Sequence, residues 1–88
     1  MTNRDFLSSL EGELHYLNKI GSADWRQKRV AIVLHTAKQI NALTDCLDFG
    51  TTLEIVKKEN PQLNEQCSRD VANYLYNAAE QERLDHRA

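Results

Sequence analysis

The sequence has few of the residues that mark secreted, membrane-spanning or low-complexity proteins. It holds two cysteines, one proline and three glycines in 88 residues. Cys46 and Cys67 provide neither a disulfide framework nor the paired C-x-x-C spacing of a metal site. The scarcity of proline and glycine excludes a low-complexity chain, and no apolar run approaches the roughly 18 residues that a membrane span needs. No basic start followed by an apolar stretch is present, so we expect the protein in the cytoplasm.

The chain also lacks a strong excess of charge of either sign. Eleven Lys and Arg residues against 13 Asp and Glu residues give a net charge of −2, which argues against a strongly basic nucleic-acid binder. With 41% apolar and 27% charged residues, the composition is that of a globular protein. We predict one helical domain over residues 1–88, with a frayed tail at residues 84–88.

Strand patterning is absent as well, because the apolar residues recur at intervals of three and four rather than two. This spacing predicts an all-α fold, a small helical bundle of three longer helices plus one short helix. Turn signals at Gly21, Gly50 and Asn60-Pro61 divide the chain. The longer helices are expected at about residues 3–20, 23–49 and 61–83, with the short helix after Gly50.

The helix predicted at about residues 23–49 carries two apolar faces. A helix with two apolar stripes must be covered from both sides, so this helix is expected at the centre of the bundle. Only two other long helices are available to cover it. We therefore predict a homo-oligomer, a dimer or a higher symmetric assembly, in which a second subunit covers the remaining surface. One face holds Val30, Val33, Leu34, Ala37, Ile40, Thr44 and Leu47, and the other holds Trp25, Ile32, Leu43 and Cys46.

The first turns of this helix contain a basic cluster formed by Trp25, Arg26, Lys28 and Arg29. Cations near a helix N-terminus oppose the macrodipole by a few tenths of a kcal/mol each. One interpretation is a partner- or anion-binding site, where guanidinium groups, helix N–H groups and an indole face hold a phosphate, a nucleotide or carboxylates. The other is that these bases pair with the acidic last helix. Arg26 and Arg29 share one side of the helix, which favours this pair over Lys28.

The last helix carries a second candidate surface. Tyr74 and Tyr76 point to nearly opposite sides, so we expect one in the core and the other exposed. Exposed aromatic residues favour binding surfaces. The candidate interaction surface on this helix comprises Asn73, Tyr76, Asn77 and Glu80.

No group of residues has the spacing of a catalytic or metal site. The pairs Glu11–His15 and Glu82–His86 lie four residues apart, but neither fits the E-x-x-H or H-E-x-x-H pattern of helical metal sites. The three glycines stand alone, so no phosphate-binding loop is present. We therefore expect no enzymatic activity, no cofactor and no bound metal.

These patterns favour a non-enzymatic cytoplasmic protein that binds another macromolecule, with a protein partner, as an inhibitor, adaptor or chaperone-like regulator. In size and composition the chain is similar to small helical chaperones of secretion systems and to small phage-encoded inhibitors.

Two alternatives remain. An oligomer that captures a small anionic ligand, such as a nucleotide, requires Trp25 in a cleft beside Arg29, whereas partner binding is favoured if Trp25 packs in the core. A DNA-binding regulator is the weaker alternative. The segment at residues 53–75 is similar to a helix-turn-helix, but a duplex would repel its acidic second helix.

Overall fold

The computed structural model describes residues 3–21 and 24–85. Within these ranges there is no strand, and the all-α prediction is confirmed. None of the described helices is long and apolar enough to cross a membrane. The helices are α1 (Asn3–Lys19), α2 (Trp25–Lys38), α3 (Ala42–Asp45), α4 (Phe49–Glu59) and α5 (Glu65–Asp85).

The long helix predicted at residues 23–49 is instead two helices, α2 and α3, and its last residue, Phe49, begins α4, which corrects that prediction. Helix α2 begins after Asp24, whose side chain accepts from the backbone N–H of Arg26 at 3.0 Å, and it ends at Lys38. Asp48 then caps α4 by accepting from the N–H of Thr51 at 2.7 Å. Short polar side chains compete for nearby backbone groups and so favour helix starts over helix interiors. The apolar spacing continues across the breaks because all three helices contribute to one core.

The start of the last helix also differs from the prediction. Asn60 and Pro61 were expected to begin it, but α5 begins at Glu65, where Asn64 accepts from the N–H of Cys67 at 2.8 Å. Asn60 is instead the buried end of α4, and its side-chain amide donates to Thr36 Oγ1 at 2.8 Å and to the Val56 carbonyl at 3.0 Å.

The predicted frayed tail overlaps the end of α5. The helix includes Leu84 and Asp85, and fraying of the tail stays a prediction. Residues 86–88 lie outside the described part of the chain, as does Ala23, where the second helix was expected to begin.

Helix α2 packs against α1 and also against α5 and α4. The pair α1–α2 is antiparallel, since Asn3 Nδ2 donates to the Ile40 carbonyl at 3.4 Å and the Gln27 amide donates to Asn18 at the other end. The accessible surface is 5439 Å², close to the value of about 5300 Å² expected for a monomer of this mass. The core residues are buried within the single chain, and the homo-oligomer stays a prediction. The largest core residues include Phe6, Leu10, Leu17, Val30, Val33, Leu34, Val56, Val71 and Leu75.

Candidate functional site

Two residues at the start of α2 bind one carboxylate on α5. Trp25 Nε1 donates to Asp70 Oδ2, and Arg29 Nη1 lies 3.3 Å from Asp70 Oδ1. Trp25 and Arg29 are one helical turn apart, so they project in similar directions. The Asp24 cap fixes where the helix begins and hence where this turn faces. Asp70 thus neutralises Arg29 and satisfies the indole N–H of Trp25.

The network continues from Arg29 to α1. The guanidinium carbon of Arg29 lies 4.9 Å from the centre of the Tyr74 ring, within the range of a cation–π contact. The Tyr74 hydroxyl donates to Glu13 Oε2 at 2.5 Å. Burial and, secondly, the bond to Glu13 raise the pKa of Tyr74 far above its ordinary value, which keeps the hydroxyl protonated as a donor. We call Glu13, Trp25, Arg29, Asp70 and Tyr74 the polar network; it joins α1, α2 and α5.

The structure does not bring the four residues of the basic cluster to one surface. Arg29 faces α5 with 26% of its side chain exposed, whereas Arg26 is exposed to solvent. Lys28 lies on another side, along a groove between α1 and α2. Trp25 is half-buried and packs against the core. Arg29 therefore pairs with the acidic last helix, as the second interpretation expected, whereas Arg26 remains exposed.

A cleft opens beside the polar network, with a volume of about 330 Å³. It is lined partly by Asn73 and Asn77, whose amides are joined by a bond of 3.3 Å from Asn77 Nδ2 to Asn73 Oδ1. Arg29 Nε is buried here without a hydrogen-bond partner. Because Arg29 and Asp70 offset one another, the cleft offers amide groups rather than net charge.

A second depression lies at the other end of α5, with a volume of about 240 Å³. Leu47, from the link between α3 and α4, meets Tyr76 and Leu84 of α5 there, and Glu80 and Arg83 complete the lining. Leu47 is 62% exposed and Leu84 is 48% exposed, so both leucines are available to a partner. We call Leu47, Tyr76 and Leu84 the end patch.

The candidate surface predicted on the last helix is divided between these two depressions. Asn73 and Asn77 line the cleft, whereas Tyr76 and Glu80 line the end patch. The expectation of one buried and one exposed tyrosine was wrong. Tyr74 and Tyr76 are both half-buried, because Glu13 and Arg29 contact Tyr74 and Leu47 of the α3–α4 link lies beside Tyr76.

Sequence reasoning missed the exposure of Leu47. The apolar spacing placed this residue on the core-facing side of a long helix, and the break before α4 removes it from that face. The available signal was Asp48, an N-cap residue. Its side chain accepts from the Thr51 N–H and hydroxyl at 2.7 and 3.1 Å.

No protein-family model, curated protein or solved structure matches this chain.

Among the residues that the structure describes, no three His, Cys, Asp or Glu side chains come together in a way that could hold a metal ion. His86, of the pair Glu82–His86, lies outside the described residues. Cys46 is buried, and its burial raises the pKa of the thiol, although a hydrogen bond with Thr52 partly opposes this effect. A raised pKa keeps this cysteine in the unreactive thiol form.

Proposed function

We propose that this protein is non-enzymatic and acts by binding another protein through the end patch. The observation that carries the proposal is the meeting of two exposed leucines, Leu47 and Leu84, from separate segments beside Tyr76 in one depression. Single exposed apolar residues are normal on protein surfaces, but contiguous ones with a polar rim are typical of interaction sites. Tyrosine is also enriched where proteins bind one another.

The composition of the core supports the same proposal. Leu47, Tyr76 and Leu84 belong neither to the buried core cluster nor to the apolar residues packed against it. Exposed apolar groups that contribute nothing to the core are available for the function of the protein.

The placement of Trp25 weakens the alternative of a small anionic ligand. That alternative required the indole in a cleft beside an available Arg29. Trp25 packs against the core and donates to Asp70, which also pairs with Arg29. An entering anion would compete with a carboxylate that is already in place.

Photocrosslinking in cells that produce the protein tests the proposal. A photoreactive benzophenone amino acid replaces Leu47 in one variant and Ile20, an exposed apolar residue directly after α1, in a matched variant. We expect discrete protease-sensitive adducts from position 47 and none of the same mass from position 20. Adducts that a nuclease removes, or none at position 47, would overturn the proposal.

A second substitution tests whether adduct formation at position 47 depends on the apolar surface of the end patch. Leu84→Ser removes apolar surface from the end patch, so adduct formation from position 47 should fall strongly. Tyr16→Ser removes a comparable exposed group from α1 and should leave the adducts unchanged. Circular dichroism on each variant verifies that the helices remain folded.

A further inference from the structure

We infer that the segment recognised by the end patch is cationic, an apolar residue of the partner protein flanked by Lys or Arg. This inference rests on the proposed function and adds the chemistry of the partner. It starts from the residues that bracket the two exposed leucines. Besides Glu82, four carboxylates lie near these leucines: Glu80 lines the depression itself, and Asp45, Asp48 and Asp85 lie within two residues of Leu47 or Leu84 in the sequence.

Three of these carboxylates accept hydrogen bonds from nearby groups of the same chain. Asp48 accepts from the Thr51 N–H, Asp45 accepts from the Asn41 N–H at 2.9 Å, and Asp85 accepts from the Gln81 amide at 2.8 Å. All of these donors are neutral. The bonds position the carboxylates but leave their charges in place.

The carboxylates near the end patch differ from other acidic residues of the protein in their ion pairs. Within the described residues, none of the four carboxylates at the end patch forms an ion pair with Lys or Arg. Three other acidic residues do form such pairs: Asp70 with Arg29, Glu11 with Lys38, and Glu65 with both Lys57 and Arg69. The end patch therefore combines exposed apolar surface with carboxylates that lack a cationic partner.

Arg83 is the basic residue that lines this depression, and it is already engaged. Its Nη1 donates to the Leu43 carbonyl at 3.2 Å, which ties the end of α5 to α3. Within the described residues, the stretches 45–48 and 80–85 hold five carboxylates and one basic residue, Arg83, so these two stretches carry net negative charge. Complementary charge steers a partner toward its site and disfavours partners of like charge.

A basic amphipathic segment satisfies both parts of this surface. An apolar side chain fits the depression between Leu47, Tyr76 and Leu84, and Lys or Arg residues one helical turn away reach the surrounding carboxylates. Since Asp45, Asp48 and Asp85 are exposed and Glu80 is half-buried, the charge contribution is largely screened by salt. The apolar contact is much less affected.

Two synthetic helical peptides test the inference with purified full-length protein. They share one leucine pattern, and the polar positions hold Lys in one peptide and Glu in the other. Fluorescence anisotropy should show binding of the Lys peptide and none of the Glu peptide. Affinity should fall when the salt concentration rises from about 0.05 M to about 0.3 M.

Charge-neutralising variants show which carboxylates of the protein contribute to binding of the Lys peptide. Glu80→Gln with Asp85→Asn should weaken binding of the Lys peptide roughly three- to tenfold. Glu54→Gln with Glu59→Gln removes the same charge from α4, away from the end patch, and should leave the affinity nearly unchanged. Equal weakening by both pairs would show a general attraction to an acidic protein and overturn the inference.

The remaining outcomes separate this inference from the proposed function. Tight binding of the Glu peptide, or of neither peptide while position 47 still gives protein adducts, overturns the cationic partner and leaves the proposed function intact. Adducts whose mass is twice that of the chain, with a dimer in sedimentation equilibrium, assign the end patch to a second copy and also overturn the inference. Absence of any adduct overturns the proposed function itself.

Discussion

The two ends of α5 differ in whether their polar and apolar side chains are paired within the fold or left exposed. At the N-terminal end, Asp70 binds Trp25 and Arg29, so charge of both signs is satisfied inside the fold. At the C-terminal end, Leu84 and Asp85 remain exposed beside Leu47. Basic and acidic residues at the first end look in the sequence like a binding site, but they hold helices together. The second end has no conspicuous motif, and its groups remain available.

The largest effect is expected from charge reversal within the polar network. Arg29→Glu places a third carboxylate beside Asp70 and Glu13 in a half-buried setting, and we expect a loss of about 2–3 kcal/mol in the free energy of unfolding. Arg26→Glu is the matched control, because this residue is exposed near the helix N-terminus. It should be neutral or stabilising by about 0.3 kcal/mol. Urea unfolding measures both, and equal effects would contradict the structural role of Arg29.

A smaller loss is expected when the carboxylate shared by α2 is removed. Asp70→Ala leaves the Trp25 indole and the Arg29 guanidinium without their acceptor, and should lower the free energy of unfolding by about 1–2 kcal/mol. Asp70→Asn retains one acceptor oxygen and should lose less. Both values come from urea titration, and a loss below about 0.5 kcal/mol for Asp70→Ala would show that the network is dispensable.

The contact between α1 and α5 is expected to contribute less, and with a dependence on pH. Tyr74→Phe removes the bond to Glu13 and should cost about 1 kcal/mol. Since the folded-state pKa of Tyr74 is raised above its ordinary value of 10.0, the wild-type protein loses stability as the pH rises above that value. Tyr74→Phe should lose this alkaline sensitivity, whereas Tyr16→Phe should keep it. Thermal melts from neutral pH upward measure the difference.

The smallest effect on folding is expected at the opposite end of α5. Leu47→Ser with Leu84→Ser exchanges exposed apolar groups for polar ones, so the melting temperature should change little. Position-specific crosslinking should be lost in the same variant when the photoreactive residue stands at Tyr76. A large drop in melting temperature would mean that the end patch belongs to the core.

The fold class could be predicted from the sequence because apolar spacing of three and four runs through nearly the whole chain. The breaks after Lys38 and before Phe49 could not, since Asn41 and Asp48 begin new helices without interrupting that spacing. The predicted start of α5 at residue 61 was also wrong. Asn60 and Pro61 fit a helix start, but burial of Asn60 against Thr36 decides otherwise.

The candidate sites also depend on contacts between residues that are distant in the sequence. Arg29 and Asp70 are 41 residues apart in the sequence, and no local pattern shows that one neutralises the other. The end patch arises from the link at residues 46–48 and the end of α5, which only the tertiary structure brings together. Helical periodicity grouped Asn73, Tyr76, Asn77 and Glu80 on one surface of α5, but it could not show that Asn73 and Asn77 line one depression and Tyr76 and Glu80 another.

The buried bond between Asn60 and Thr36 restricts how the second half of the molecule can dock on the first. Sliding α4 along α2 by one turn, about 5.4 Å, would keep apolar side chains against apolar side chains and change the hydrophobic contribution little. It would also break the bond between Asn60 and Thr36, at a cost of about 1 kcal/mol, although each side chain keeps a bond within its own helix, Asn60 to the Val56 carbonyl and Thr36 to the Ile32 carbonyl. The hydrogen bond between Asn60 and Thr36 therefore favours the native position of α4 on α2 over positions shifted by one turn. A uniformly apolar interface would not distinguish these positions.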